Sequence, residues 1–204
     1  MPVVPPMVSA ATGALLVPHL PAGEARATLL YACYAMFGLT LVAGLITTTL
    51  VWHRLVQHGL GAPAAVPTLW IVLGPLGQSV TAAHTLGEQA VHALPAPYGT
   101  ALQVSGLVYG VPVWGFALLW LALVGAVTVR TARRGLPFTL GWWSFTFPVG
   151  TVVTATSGLA AATGWLALFT VPAVLGYAGL VLAWGLVATR TVRGVCSGRL
   201  LLPG

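Results

Sequence analysis

His84, Glu88 and His92 recur at four-residue intervals, so a helix carries all three on one face, one turn apart. Imidazole and carboxylate stacked in this way can relay a proton, which suits a proton-coupled carboxylate carrier with His84 and Glu88 as the relay. The same trio could ligate a metal, although its spacing is HxxxExxxH and not the HExxH of metalloproteases. A third reading sets Glu88 at the water boundary with no chemical part to play. Further along, Phe147 stands directly before Pro148, at the start of a run that holds Thr151, Thr154, Thr156 and Ser157. Hydroxyls and backbone groups of that kind can hold a small anion weakly enough to release it.

The surroundings of these residues are set by composition. Of 204 residues, 58% are hydrophobic and 5% are charged, the charges being eight arginines and two glutamates. Soluble domains carry roughly a quarter charged residues. Ten charges cannot cover a water-exposed surface of this size, and a mean hydropathy of +0.95 agrees. A soluble enzyme, a disordered tail and a coiled coil are excluded, leaving an all-α integral membrane protein. The net charge of +6 is no nucleic-acid footprint, because the arginines sit at the ends of apolar stretches and form no basic surface interleaved with aromatics. Cys33 and Cys196 fall near opposite membrane faces, which excludes a mutual disulfide. Neither belongs to a CxxC pair, so no metal, redox group or other cofactor is expected.

A bilayer-spanning helix needs about 20 apolar residues. The chain divides into six such spans, at about 3–20, 29–52, 68–91, 106–129, 139–162 and 165–188, all within one transmembrane domain of residues 1–189. Residues 190–204 form a short basic tail. Glycine and proline punctuate the connections, as at Pro21, Gly23, Pro95, Pro97, Gly135, Pro137 and Gly164. An even number of spans leaves both termini on one side. That side holds Arg54, Arg130, Arg133, Arg134, Arg190, Arg193 and Arg199, whereas the other holds only Arg26, beside Glu24. The positive-inside rule makes the first side cytoplasmic. Trp52, Trp70, Trp142, Trp143 and Trp165 fall at span edges, where an indole suits the headgroup region, while Trp114 and Trp120 lie within the fourth span as packing residues.

Polar residues are distributed unevenly among the spans. The third and fifth are rich in Ser, Thr, Gln and His, whereas Thr128 and Thr170 stand alone in the fourth and sixth. Unsatisfied polar groups are costly in hydrocarbon, so the third and fifth spans need a protein interior or a watery path. Helical spacing gathers Gly77, Thr81, His84 and Glu88 into one stripe, with Gln78 and Thr85 beside it. Phe147, Gly150, Thr151, Thr154 and Gly158 form a second stripe, and Pro5, Ser9, Thr12 and Gly13 a shorter third. Polar spans thus alternate with apolar ones, as in helical hairpins with one inner and one outer member. The competing reading is that small and hydroxyl residues only let helices pack closely. Gly74, Pro75, Pro148 and Gly150 mark kinks whose freed carbonyls can meet solute.

Three blocks resemble the tellurite-resistance/dicarboxylate transporter family: PPMVSAATG at 5–13, PTLWIVLGPLGQS at 67–79 and WWSFTFP at 142–148. They are similar to that family's fifth, seventh and ninth helices, so the six spans look like helices five to ten of ten. The family includes fungal malic acid permeases and sulfite pumps, bacterial tellurite-resistance channels and plant slow anion channels. The resemblance implies five hairpins around a central pore, with odd-numbered helices lining it and even-numbered ones outside. It also implies a gating phenylalanine at Phe147 and a trimer in which each subunit has its own pore.

The resulting expectation is a multi-pass plasma-membrane protein that moves a small anion, a C4-dicarboxylate such as malate or a related oxyanion. The pathway residues are then Ser9, Thr12, Gly13, Gly74, Pro75, Gln78, Thr81, His84, Pro148, Gly150, Thr151 and Thr154, with Arg130, Arg133 and Arg134 concentrating anions at the cytoplasmic mouth. Two other classes stay open: a non-conducting membrane fragment or assembly partner lacking the first four helices, and an intramembrane metalloenzyme using His84, Glu88 and His92.

Overall fold

The computed structural model describes residues 4–164 and 166–198. Val3 as the start of the first span, Trp165 as an edge residue and Arg199 as a flanking charge lie outside the described residues. Six α-helices follow in order: α1 (Val4–Ala14), α2 (Glu24–His58), α3 (Leu73–Ala93), α4 (Tyr98–Ala132), α5 (Phe147–Thr163) and α6 (Leu166–Cys196). No strand occurs among the described residues.

Helix continuity separates inner from outer elements. The apolar helices α2, α4 and α6 run unbroken for 35, 35 and 31 residues. Each polar span is instead interrupted. The first gives way after Ala14 to a 3-10 turn at Val17–His19. The third is entered through a 3-10 stretch, Pro63–Val72, that contains Pro67. The fifth divides into a 3-10 turn, Leu140–Phe145, and α5, with Pro148 in the first turn of the latter. A proline, which lacks the N–H of a continuing ladder, lies at each break, although Pro112 and Pro172 are carried inside α4 and α6 without one. In a membrane, such breaks are tolerated where protein or a water-filled cavity surrounds them.

Four segments are long and apolar enough to cross a membrane: Glu24–His58, Tyr98–Ala132, Leu140–Thr163 and Ala167–Cys196. This differs from six equivalent spans. α1 has 11 residues, about 16 Å of helix against a hydrocarbon core of about 30 Å, and α3 is too polar. The outer helices also outrun their expected ends, because a helix need not stop where the hydrocarbon does. α6 continues to Cys196, so Arg190 and Arg193 are helical residues and not part of a loose tail. Arg190 lies over the ring of Trp142, 4.7 Å from its centroid.

The helices pair as α1 with α2, α3 with α4 and α5 with α6, and α3 also packs against α1 and α5. It supplies Leu73 and Leu76 to a core around the fully buried Trp120, Val80 to one with Leu159 and Phe169, Ala82 to one with Met7, and Leu86 and Ala90 to one with Leu30 and Cys33. Two glycines bring its neighbours close. A Cβ on Gly106 of α4 would stand 2.6 Å from the Ala83 carbonyl oxygen, and one on Gly77 of α3 would stand 2.6 Å from the backbone of Thr151 and Val152 in α5.

Indole hydrogen bonds tie the 3-10 stretches and helices together. Trp120 donates to the Leu69 carbonyl at 3.0 Å, Trp70 to the Thr128 hydroxyl at 2.9 Å and Trp142 to the Pro137 carbonyl at 3.0 Å. Trp142 is buried and Trp70 half-buried, so both indoles turn inward from the edge positions expected of them.

The α1–α2 connection is held by Arg26. Its guanidinium donates to the carbonyls of Leu20 (2.8 Å), Pro18 (3.0 Å) and His92 at the end of α3 (3.4 Å). Arg26→Ala is expected to cost about 2 kcal/mol, seen as a lower melting temperature in detergent. Lysine restores little of it, since one ammonium cannot reproduce the planar fork.

Candidate functional site

From Leu73 to Ala90, the only positions of α3 that are not buried are Gln78, Thr81, His84, Thr85, Glu88 and Gln89. All six are polar, and every apolar residue in that stretch is buried. The outer helices show the reverse, with Leu39, Leu45 and Ile46 of α2, Val108 and Leu119 of α4, and Leu175 and Leu182 of α6 all exposed. A helix bundle with apolar outer faces belongs in lipid, and the open polar face of α3 then has to meet something other than lipid.

The neighbouring inner helices extend this face. On α1, Pro5, Ser9 and Thr12 are exposed, and on α5, Phe147, Thr154 and Ser157. Two hollows flank Phe147. One of about 650 Å³ is lined by Pro5 and Ser9 of α1 together with Ser144, Phe147 and Pro148. The other, of about 800 Å³, is lined by Gln78, Phe147, Gly150, Thr151 and Thr154, with Tyr177 and Trp184 of α6. The Phe147 ring projects between them, 53% exposed, with Cε1 3.6 Å from where a Gly74 Cβ would be.

The expected pathway residues therefore divide. Ser9, Phe147, Pro148, Gly150, Thr151, Thr154 and Gln78 come together at the two hollows. Thr12, Thr81 and His84 lie on the open or half-open faces beyond them. Gly13, Gly74 and Pro75 point elsewhere, and Thr151, though it borders one hollow, turns its hydroxyl inward. A Cβ on Gly13 would meet Cys33 Sγ at 2.9 Å, so Gly13 faces α2. Gly74 is buried beneath the Phe147 ring, and Pro75 lines a separate cavity of about 140 Å³ with Thr40, Gly44, Ser79 and Tyr109. Thr151 is 4% exposed and shares its hydroxyl proton between the carbonyls of Pro148 (2.7 Å) and Leu73 (3.2 Å), so it pins α5 to α3. Thr156 likewise takes the Trp114 indole N–H at 2.9 Å, and Ser79 the Tyr109 hydroxyl at 2.9 Å. Composition alone could not sort these from the open-face hydroxyls, because either environment requires a hydroxyl.

Trp143 lines both hollows and was assigned to the membrane edge by its position alone. Its membership of the WWSFTFP block was the available signal. His84 and Glu88 do meet, with Nε2 and Oε1 3.4 Å apart. His92 is exposed one turn on, and no three His, Cys, Asp or Glu residues among those described gather to hold a metal.

Comparison with known proteins identifies the family. The family model described as voltage-dependent anion channel, SLAC1, matches residues 1–192. The chain is 32% identical over 163 residues to the sulfite efflux pump SSU1 of Trichophyton rubrum and to that of Arthroderma benhamiae, covering 77% of this chain and 43% of each pump. It is 28% identical over 145 residues to the transporter MJ0762 of Methanocaldococcus jannaschii, covering 71% of this chain and 40% of that protein. The chain thus spans less than half the length of the curated relatives it matches. No solved structure matches it. With the family model covering nearly all of a multi-pass helical bundle, the chain belongs to the SLAC1 voltage-dependent anion channel family.

Proposed function

We propose that the polar faces of α1, α3 and α5 line a path for small anions across the membrane, and that Phe147 closes it. The observation that carries this reading is the open face of α3, six polar side chains on a helix whose apolar residues are all buried. Among the described residues, α1, α3 and α5 contain no arginine. An anion passing there meets hydroxyls, amides and backbone groups, which bind weakly enough for it to leave again. The first turn of α5 opens between the two hollows and adds the partial positive charge of a helix N-terminus. Arg190, over Trp142 near this end of α5, would raise the anion concentration at this mouth together with Arg130, Arg133 and Arg134, and the positive-inside rule favours cytoplasmic termini in a plasma-membrane protein. Transport, not catalysis, is the role that fits, with the exposed apolar faces of α2, α4 and α6 available to lipid and to the other subunits of a trimer.

The solute class is a small oxyanion. Sulfite is the first candidate because two relatives are named sulfite efflux pumps, and a C4-dicarboxylate such as malate is the second because of the resemblance in the helix blocks. The test is flux into proteoliposomes containing the purified protein, with sulfite, malate and nitrate compared. Uptake above protein-free vesicles for at least one anion is expected. Absence of all three fluxes removes the reading and favours a non-conducting assembly partner.

A further inference from the structure

Glu88 is the only acidic residue in α1, α3 and α5 among the described residues. It lies on the open stripe of α3, near the helix end that Arg26 holds. One turn deeper, His84 turns Nε2 towards it at 3.4 Å, the one ion pair among the described residues, with the two side chains 13% and 48% exposed. The imidazole sits in a notch that α5 leaves open for it. Gly158 has no side chain, and a Cβ there would stand 3.1 Å from His84 Cδ2. α5 thus fixes one edge of the ring and leaves the other facing the carboxylate.

We infer that the His84–Glu88 pair sets the charge an anion meets at the arginine-poor mouth, so that one proton on the pair admits anions and its loss holds them back. The inference rests on the anion path proposed above. With a neutral imidazole and an ionised carboxylate the pair carries one negative charge, and the nearest fixed cation, Arg26, is tied to the carbonyls of Pro18, Leu20 and His92. A proton taken from water onto the pair brings the charge to zero, whichever of the two groups holds it.

Few other groups at this end compete. α3 itself adds His92, the turn Val17–His19 adds His19, and α2 adds Glu24 and Arg26. α1 and α5 carry no titratable side chain, and α4 meets this part of α3 through Gln103 and Gly106.

Nitrate is the probe, since its own charge does not change between pH 5.5 and 8. Nitrate flux in proteoliposomes is expected to be about fivefold higher at pH 5.5 than at pH 8, the effect of one unit charge several ångströms away at an intermediate effective dielectric. Glu88→Gln should give the high flux already at pH 8. His84→Gln should stay near the low flux across the range, and His92→Gln should keep the native response. A flat profile for the native protein overturns the inference without recourse to any variant. Native flux at pH 8 in Glu88→Gln, or a native response in His84→Gln, also overturns it while leaving the anion path standing. Absence of nitrate flux in every sample overturns the inference, while the path itself stands or falls on the sulfite and malate fluxes measured beside it.

Discussion

Phe147→Ala is expected to raise anion flux about tenfold or more, with little loss of stability. On the proposed path, a bulky apolar ring between two hollows would act as a dewetted constriction, where an ion loses its hydration without compensation. Phe147 occupies that position, with hollows of about 650 and 800 Å³ on either side of a half-exposed ring. Removing the ring joins the hollows. Because that side chain is only half-buried, truncation should cost about 1 kcal/mol, against several for a core aromatic such as Trp120. Phe147→Leu should fall between alanine and the native residue. Flux in proteoliposomes at matched protein incorporation is the measurement, and unchanged flux in Phe147→Ala means the ring does not close the path.

Gly77 supports the larger expected effect on stability. The atoms nearest a Cβ at this position are the Thr151 carbonyl carbon and the Val152 nitrogen, both at 2.6 Å. They are backbone, so no rotamer change can make room, and α3 and α5 have to separate. Separation also breaks the Thr151 hydrogen bond to the Leu73 carbonyl. Gly77→Ala is expected to cost about 2 kcal/mol, and Gly77→Leu to prevent α3 and α5 from packing. Gly115 in α4, which has nothing within 4 Å of its Cβ position, is the control. There alanine should be neutral or stabilising by about 0.5 kcal/mol. Thermal unfolding in detergent reads both, and equal melting temperatures for the two alanine variants would contradict the close contact.

The membrane class and the alternation of polar and apolar helices were legible because they depend on composition and period, which tertiary contacts do not alter. Helix breaks were less legible. Pro67 and Pro148 announced an irregularity, but whether a proline kinks a helix or ends it depends on what accepts the freed backbone groups. Here Trp120, 51 residues further along on α4, donates its indole N–H to the Leu69 carbonyl. The candidate site was half legible. Period placed Ser9, Gln78, Thr154 and Phe147 on faces that open onto the hollows. It could not distinguish them from Thr151 and Thr156, whose hydroxyls face inward because Leu73 and Trp114 stand opposite. The His84–Glu88 pair followed from four-residue spacing, whereas the notch at Gly158 depends on a contact between helices far apart in sequence.

Gly106 and Gly77 hold α3 between two backbones, that of α3 against α4 at Ala83 and that of α5 against α3 at Thr151. Sliding α3 along either neighbour would drive main chain into main chain, so a rocking transition has no low-energy course through this part of the molecule. If Phe147 closes the proposed path, its rotation needs no such displacement, and permeation would be expected to run at the tempo of a rotamer and not of a domain.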